Sequence, residues 1–253
     1  MTAPLLKLDN VSKHFGGLLA VDSVSAEVHA GEICGVIGPN GAGKSTLFNL
    51  IAGEIEPSGG SIRLAGREIA GQPSHAIARL GVARAFQLVH LFDSMTVADN
   101  VLIGAERHDT LGLWQALTHT SGYDRTYRTA LDRAAATMEA MGIADIASQP
   151  VDSLPHGRQR LVATARALAS APRLLLLDEP AAGLSEDEIG LLEKAIRHAR
   201  NSGATILLVE HNVEFVMRLC EHVVVLHFGR RIADGAPAQV RSDKAVIEAY
   251  FGR

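Results

Sequence analysis

Gly38-Pro39-Asn40-Gly41-Ala42-Gly43-Lys44-Ser45-Thr46 is the stretch on which the reading of this chain turns. The apolar run Ile33-Cys34-Gly35-Val36-Ile37 leads into it, and Leu47-Phe48-Asn49-Leu50-Ile51 follows. Buried strand, glycine-rich loop and apolar helix, in that order, are the context a phosphate-binding loop requires. Glycines at 38, 41 and 43 let successive backbone N–H groups turn inward toward phosphate oxygens. A helix starting near Gly43 aims its positive end at the same charge, Lys44 is placed to bridge the outer phosphates, and Ser45 to ligate Mg²⁺.

Two later runs point to the same site. Arg173-Leu174-Leu175-Leu176-Leu177-Asp178-Glu179 is a continuous aliphatic run ending in two carboxylates. The run fits a parallel strand buried on both faces, and carboxylates at its carboxyl end must meet charge. Asp178 is positioned to hold Mg²⁺, and Glu179 to orient or deprotonate an attacking water. Thr205-Ile206-Leu207-Leu208-Val209-Glu210 is a second buried strand, with His211 just beyond it. A histidine there can hydrogen-bond a γ-phosphate and its attacking water. Position selects it, since most of the 11 histidines must be incidental.

Outward from these runs, Leu5 to Leu8, Leu19 to Val21 and Val24 to Val28 read as strands, with turns at Gly16-Gly17 and Ala30-Gly31. They predict an antiparallel β lobe ahead of the loop. The first helix is expected to end at Gly53, a hairpin to follow around Ser61 to Gly66, a helix to run from Pro73 to Leu80, and a short strand, Gly81 to Phe86, to deliver Gln87 at its carboxyl end. That edge is where open α/β sheets bind ligands. From Leu88 to Leu168 the pattern is mainly helical, over Val97 to Ile103, Tyr127 to Met141 and Leu161 to Leu168, interrupted by a polar stretch from Gly104 to Asp124. His108 and His119 in that stretch lack metal-ligand spacing. Ser185 to Glu188 form a capping box for a helix whose buried stripe is Ile189, Leu192, Ile196 and Ala199. Strands from Val223 to His227 and Arg230 to Ala233 close the sheet, and the tail to Gly252 reads as a short amphipathic helix. The fold class is therefore α/β, a P-loop NTPase core of RecA-like type with an N-terminal antiparallel β lobe and an inserted α-helical subdomain. Within a single domain of residues 1–253, residues 1–87 form the lobe and the loop part of the core, 88–168 the helical subdomain, and 169–253 the rest of the core and the tail.

Composition agrees with this picture. The chain has 253 residues, 47% of them apolar, enough for a substantial core. A net charge of −4, with no basic run at either end, argues against nucleic acid as a partner. Cys34 and Cys220 sit in apolar surroundings and read as buried free thiols, as in a reducing cytosol. No signal peptide is visible, and no apolar stretch reaches the roughly 18 to 20 residues needed to span a bilayer. Work at a membrane would need spans from another polypeptide.

With the loop, Gln87, the Leu174 to Pro180 run and His211 in this order, the chain resembles the nucleotide-binding subunits of ABC transporters over essentially its whole length. The resemblance implies ATP and Mg²⁺ as cofactors. It implies that Phe15 stacks on adenine, that residues 38–46 hold the phosphates, that Gln87 senses Mg²⁺ with Ser45 and Asp178, and that Lys44, Gln87, Glu179 and His211 serve catalysis. It places a signature motif, usually Leu-Ser-Gly-Gly-Gln, at Leu154-Pro155-His156-Gly157-Arg158-Gln159. In the family this segment caps the γ-phosphate held by a second subunit in a head-to-tail pair. Pro155 replaces the usual serine and lacks both hydroxyl and N–H, although amides near His156 and Gly157 can still face phosphate. Ser185 stands where many relatives carry an aspartate.

The Ala83-Arg84-Ala85-Phe86-Gln87 context, the long insertion before the signature, Ala181 to Leu184 and the ending Val246 to Gly252 resemble the ATPases of branched-chain amino acid importers and of related amide and urea importers. The function implied is an ATP-hydrolysing subunit on the cytoplasmic face of the membrane. Its expected partners are two permease subunits, a solute-binding protein and a second ATPase subunit, the same chain or a related one. A soluble ABC ATPase acting on DNA or ribosomes is the alternative; such relatives carry coiled coils or a second ATPase domain. A GTP-dependent switch would carry an Asn-Lys-x-Asp segment, which does not occur.

Overall fold

The computed structural model describes residues 3–85, 91–106 and 121–251. The chain divides into two compact units. The first holds residues 1–84, 173–180 and 200–253, and the second holds 85–172 and 181–199.

The first unit begins with a long hairpin, β1 (Leu6–Phe15) and β2 (Leu18–Val28), turning at Gly16 and Gly17. β1 also pairs antiparallel with β4 (Gly59–Leu64), and β4 with the short β5 (Arg67–Glu68), giving the order β2-β1-β4-β5. β1 is longer than its alternating residues indicate. Between Leu8 and His14 its register with β2 shifts repeatedly, and Asn10 adopts a positive φ of 49°. Each irregularity resets which side chains face inward, which erases the period-two pattern.

The second sheet has the order β10-β9-β3-β8-β7-β6, from β3 (Ile33–Ile37), β6 (Val82–Ala85), β7 (Leu174–Asp178), β8 (Thr205–Val209), β9 (His222–His227) and β10 (Arg230–Gly235). β3 lies parallel to both β8 and β9, β8 parallel to β7, and β10 antiparallel to β9. Every residue of β3, β7 and β8 is buried, which is why their sequences are unbroken apolar runs. Helix α1 (Lys44–Ala52) supplies Leu47, Phe48, Leu50 and Ile51 to a core shared with alternate residues of both sheets, among them Leu6, Ile62, Val36 and Leu176. α2 (Ser74–Arg79) adds Ile77 to the same core.

The second unit is helical. α3 (Val97–Ala105) opens with a capping box in which the Asp99 amide donates to Thr96 Oγ1 (3.1 Å) and the Thr96 amide to Asp99 Oδ2 (3.2 Å). α4 spans Ser121–Ala140, and α5 spans His156–Ala169. α3 and α5 approach so closely that a Cβ at Gly104 would lie 2.0 Å from the Arg166 carbonyl oxygen. Asn100 is fully buried and staples the turn before α3, donating to the Phe92 and Thr96 carbonyls and accepting from the Phe92 amide. In α6 (Glu186–Asn201) the capping box is present: Glu188 Oε2 accepts from the Ser185 amide at 2.9 Å. Its buried stripe is Ile189, Leu192, Ala195 and Ile196, with Ala199 only half-buried. α7 (Val213–Leu219), α8 (Pro237–Ser242) and α9 (Lys244–Phe251) complete the first unit. Cys34 and Cys220 are buried, and neither is in a disulfide.

Candidate functional site

The phosphate loop follows β3 and runs straight into α1. Gly43 precedes the first helical residue with φ 97°, and a Cβ there would lie 2.4 Å from the Ala20 carbonyl oxygen, so no other residue fits. No side chain caps α1 and no acidic residue occupies its first turn. Its leading amides therefore lack the partners a helix start normally receives, which suits an anion. The Lys44 ammonium donates to the Gly38 carbonyl at 2.7 Å and the Pro39 carbonyl at 3.0 Å. Burial lowers its pKa below the usual lysine value, against the opposing pull of Glu179 and Asp178. A phosphate would give this buried cation a full counter-charge.

Residues 40–46, His211 and an apolar end of Leu18, Leu19 and Phe228 line a cleft of about 390 Å³. Phe228 sits in the turn between β9 and β10 with φ 46° and is 79% exposed. Phe15 is exposed at the end of β1, with the Lys13 ammonium 5.1 Å over its ring.

The carboxylates differ in setting. Asp178 ends β7, and its side chain is 3% exposed; Oδ2 accepts from Arg84 Nη2 at 2.8 Å. Glu179 follows in the left-handed region at φ 49°, a conformation that costs a non-glycine residue energy and clusters at functional sites. Its amide donates to the Val209 carbonyl at 2.9 Å, which ties the end of β7 to the end of β8. Glu179 Oε1 lies 2.6 Å from His211 Nε2. His211 thus lines the cleft with the phosphate loop and touches the carboxylate at the neighbouring strand end.

The residues present fit Mg²⁺. Asp178 Oδ1 is buried without a hydrogen-bond partner, an arrangement that favours an added cation, and Ser45 offers an exposed hydroxyl on the first turn of α1. These are hard oxygen donors, and two protein ligands plus phosphate oxygens suffice for Mg²⁺. Among the described residues no group of three or more His, Cys, Asp or Glu could hold a metal by itself.

In the second unit, Pro155 immediately precedes α5, and no side chain caps this helix. Gln159 Nε2 donates to the Val151 and Leu154 carbonyls and fixes the entry to the helix. Arg158 lies 3.6 Å from Glu188 and donates to the Gly142 carbonyl. Gly157 packs close to Glu188: a Cβ there would lie 3.1 Å from its Oε2.

Gln87 lies outside the described residues, as do His108 and His119. Sequence reasoning missed Leu18, Leu19 and Phe228, which carry no local signal, and Arg84. For Arg84 there was one: a charged residue inside the otherwise apolar strand Val82 to Ala85 must meet opposite charge.

The family model described as ABC transporter matches residues 21–182. The chain belongs to the ABC transporter family. A second model, described as branched-chain amino acid ATP-binding cassette transporter, matches residues 230–253. The chain is 42% identical over 253 residues to the high-affinity branched-chain amino acid transport ATP-binding proteins BraF of Pseudomonas aeruginosa and LivG of Escherichia coli K12, covering 100% of this chain and 99% of each relative. Among solved structures, the ADP conformation of MJ1267, an ATP-binding cassette of an ABC transporter, matches with a TM-score of 0.83 and 28% identity over 100% of both chains. As an ABC ATPase the chain binds and hydrolyses ATP to energise transport.

Proposed function

We propose that this ABC ATPase drives an importer for branched-chain amino acids. In this reading it works on the cytoplasmic face of the membrane with two permease subunits and a solute-binding protein, paired with a second ATPase subunit. Full-length similarity to BraF and LivG supports the solute class. Among the described residues no helix is long and apolar enough to cross a membrane, so the spans would come from the permeases.

The observation that carries the catalytic part is His211, which shares the cleft with the phosphate loop and stands 2.6 Å from Glu179. The loop amides and Lys44 hold the β- and γ-phosphates, and the apolar end of the cleft takes the base, with Phe15 stacking on the adenine. Glu179 accepts the proton of a water attacking the γ-phosphorus, and ADP departs as the terminal P–O bond breaks. His211 is positioned to hydrogen-bond the transferring phosphoryl group and to hold the Glu179 carboxylate in place. Mg²⁺ would be held by Ser45, Asp178 and Gln87 and would supply charge neutralisation at the phosphates. In the pair, the segment from Leu154 to Gln159 would face the partner's nucleotide with the uncapped start of α5.

The test is Glu179→Gln in the purified full chain and its membrane complex. Nucleotide affinity is expected to stay within about twofold, while turnover falls by about 10²- to 10⁴-fold, the span of general-base removal. Turnover equal to the unsubstituted chain would overturn the role of Glu179. Co-purification from detergent-extracted membranes should bring two hydrophobic permeases. Recovery with ribosomes or DNA-processing proteins instead would overturn the importer reading and leave the ATP site standing.

A further inference from the structure

Arg84 is the one charged residue of β6, and its side chain is only 10% exposed. Its guanidinium reaches two elements, and a residue just past one of them, at once. Nη2 donates to Asp178 Oδ2 at 2.8 Å, at the end of β7. Nη1 donates to Asn49 Oδ1 at 2.8 Å, on α1, and lies 2.9 Å from Glu54 Oε1, just past that helix. Burying a guanidinium is costly unless carboxylates and amides surround it, and here two carboxylates and one amide do. The planar fork sets the directions of these bonds, which a lysine ammonium on a flexible stem cannot reproduce.

The consequence falls on Asp178. With Oδ2 clamped, the carboxylate is held against rotation, and Oδ1, buried and without a hydrogen-bond partner, is the oxygen left to bind something else. The same guanidinium ties that orientation to α1, whose first turn carries Lys44 and Ser45.

We propose that Arg84 is a positioning residue that fixes which Asp178 oxygen is offered to the metal accompanying ATP, and that it holds β7 and the phosphate-loop helix in register for that purpose. The proposal rests on the reading of Asp178 as a metal ligand.

The test uses the purified full chain and its Arg84→Lys, Arg84→Gln, Asn49→Ala and Asp178→Asn variants. Mn²⁺ binding is titrated by electron paramagnetic resonance in the presence of a non-hydrolysable ATP analogue, alongside analogue binding in EDTA and thermal unfolding. Arg84→Lys and Arg84→Gln should weaken Mn²⁺ binding by about 10- to 100-fold, as lost support of a ligating group does, with metal-free analogue binding within about twofold. Lysine should fail despite keeping the charge. Should Arg84→Gln not fold, Asn49→Ala, which loosens one anchor, should still weaken Mn²⁺ binding by about threefold. Unchanged Mn²⁺ affinity in the folded Arg84 and Asn49 variants, with Asp178→Asn impaired, would overturn the role of Arg84 alone. Unchanged affinity in Asp178→Asn would overturn the metal reading and the proposal with it.

Discussion

Two histidines in the first unit sit against carboxylates, and they are built for different purposes. His211 is 46% exposed at a strand end, lines the cleft, and meets Glu179 at 2.6 Å. His222 is 18% exposed and wedged between Asp234 and Glu32, with Arg231 also on Asp234. Hydrogen bonds to Asp234 first, then to Cys34 and Glu32, push its pKa up to about 12 against the cost of burial. Burial pushes Asp234 up, yet His222 and Arg231 outweigh it and hold that carboxyl below its usual value. The lesson is that a histidine held between two carboxylates is locked as a structural cation. One held by a single carboxylate at a cleft can exchange that partner for a substrate.

The largest expected effect breaks the catalytic side of the comparison. His211→Ala should lower ATP turnover by about 10²-fold or more while leaving the melting temperature nearly unchanged, because the side chain is half exposed. Turnover within threefold of the unsubstituted chain would make His211 as structural as His222. A smaller effect tests the other side. His222→Gln should cost about 1.5–3 kcal/mol in urea unfolding, the range for hydrogen bonds to charged groups, with turnover per folded molecule preserved.

That cost should depend on pH. The His222 pKa is raised from 6.5 to about 12 on folding, so its contribution is complete below pH 6.5 and is lost as pH rises toward 12. Asp234 is lowered from 3.8, so its contribution is present above that value and is lost as pH falls. The difference between the unsubstituted chain and His222→Gln should therefore be greatest between about pH 5 and 6.5 and shrink by pH 9. A difference that grew between pH 6.5 and 9 would contradict the locked-cation reading. The smallest effect is at Lys7, which pairs with Glu27 at 2.6 Å on the surface of the neighbouring lobe. Lys7→Ala should leave urea unfolding unchanged within error, since exposed pairs gain little.

The legible parts of the fold were those dictated by strong local constraints. β3, β7 and β8 announce themselves as unbroken apolar runs because both faces are buried. The capping box at Ser185 and Glu188 is local chemistry and needs no distant partner. β1 was legible only at its start, because its register shifts scramble the alternation. The buried stripe of α6 includes Ala195 where Ala199 was expected, a difference of about one helical turn.

For the site, the sequence by itself determined which groups are the candidates: Gly38 to Thr46, Asp178, Glu179 and His211 are picked out by motif, strand end and residue type, and picking them out does not depend on distant packing. Only the tertiary structure decided how those groups are held. The left-handed backbone of Glu179, the pairing of His211 with it, the Arg84 clamp on Asp178 Oδ2 and the place of Phe228 at the cleft all require contacts across many residues of sequence. The physical reason is range. Periodicity and turn chemistry act over a few neighbours, whereas a carboxylate's orientation is set by whichever strand and helix the sheet order brings beside it.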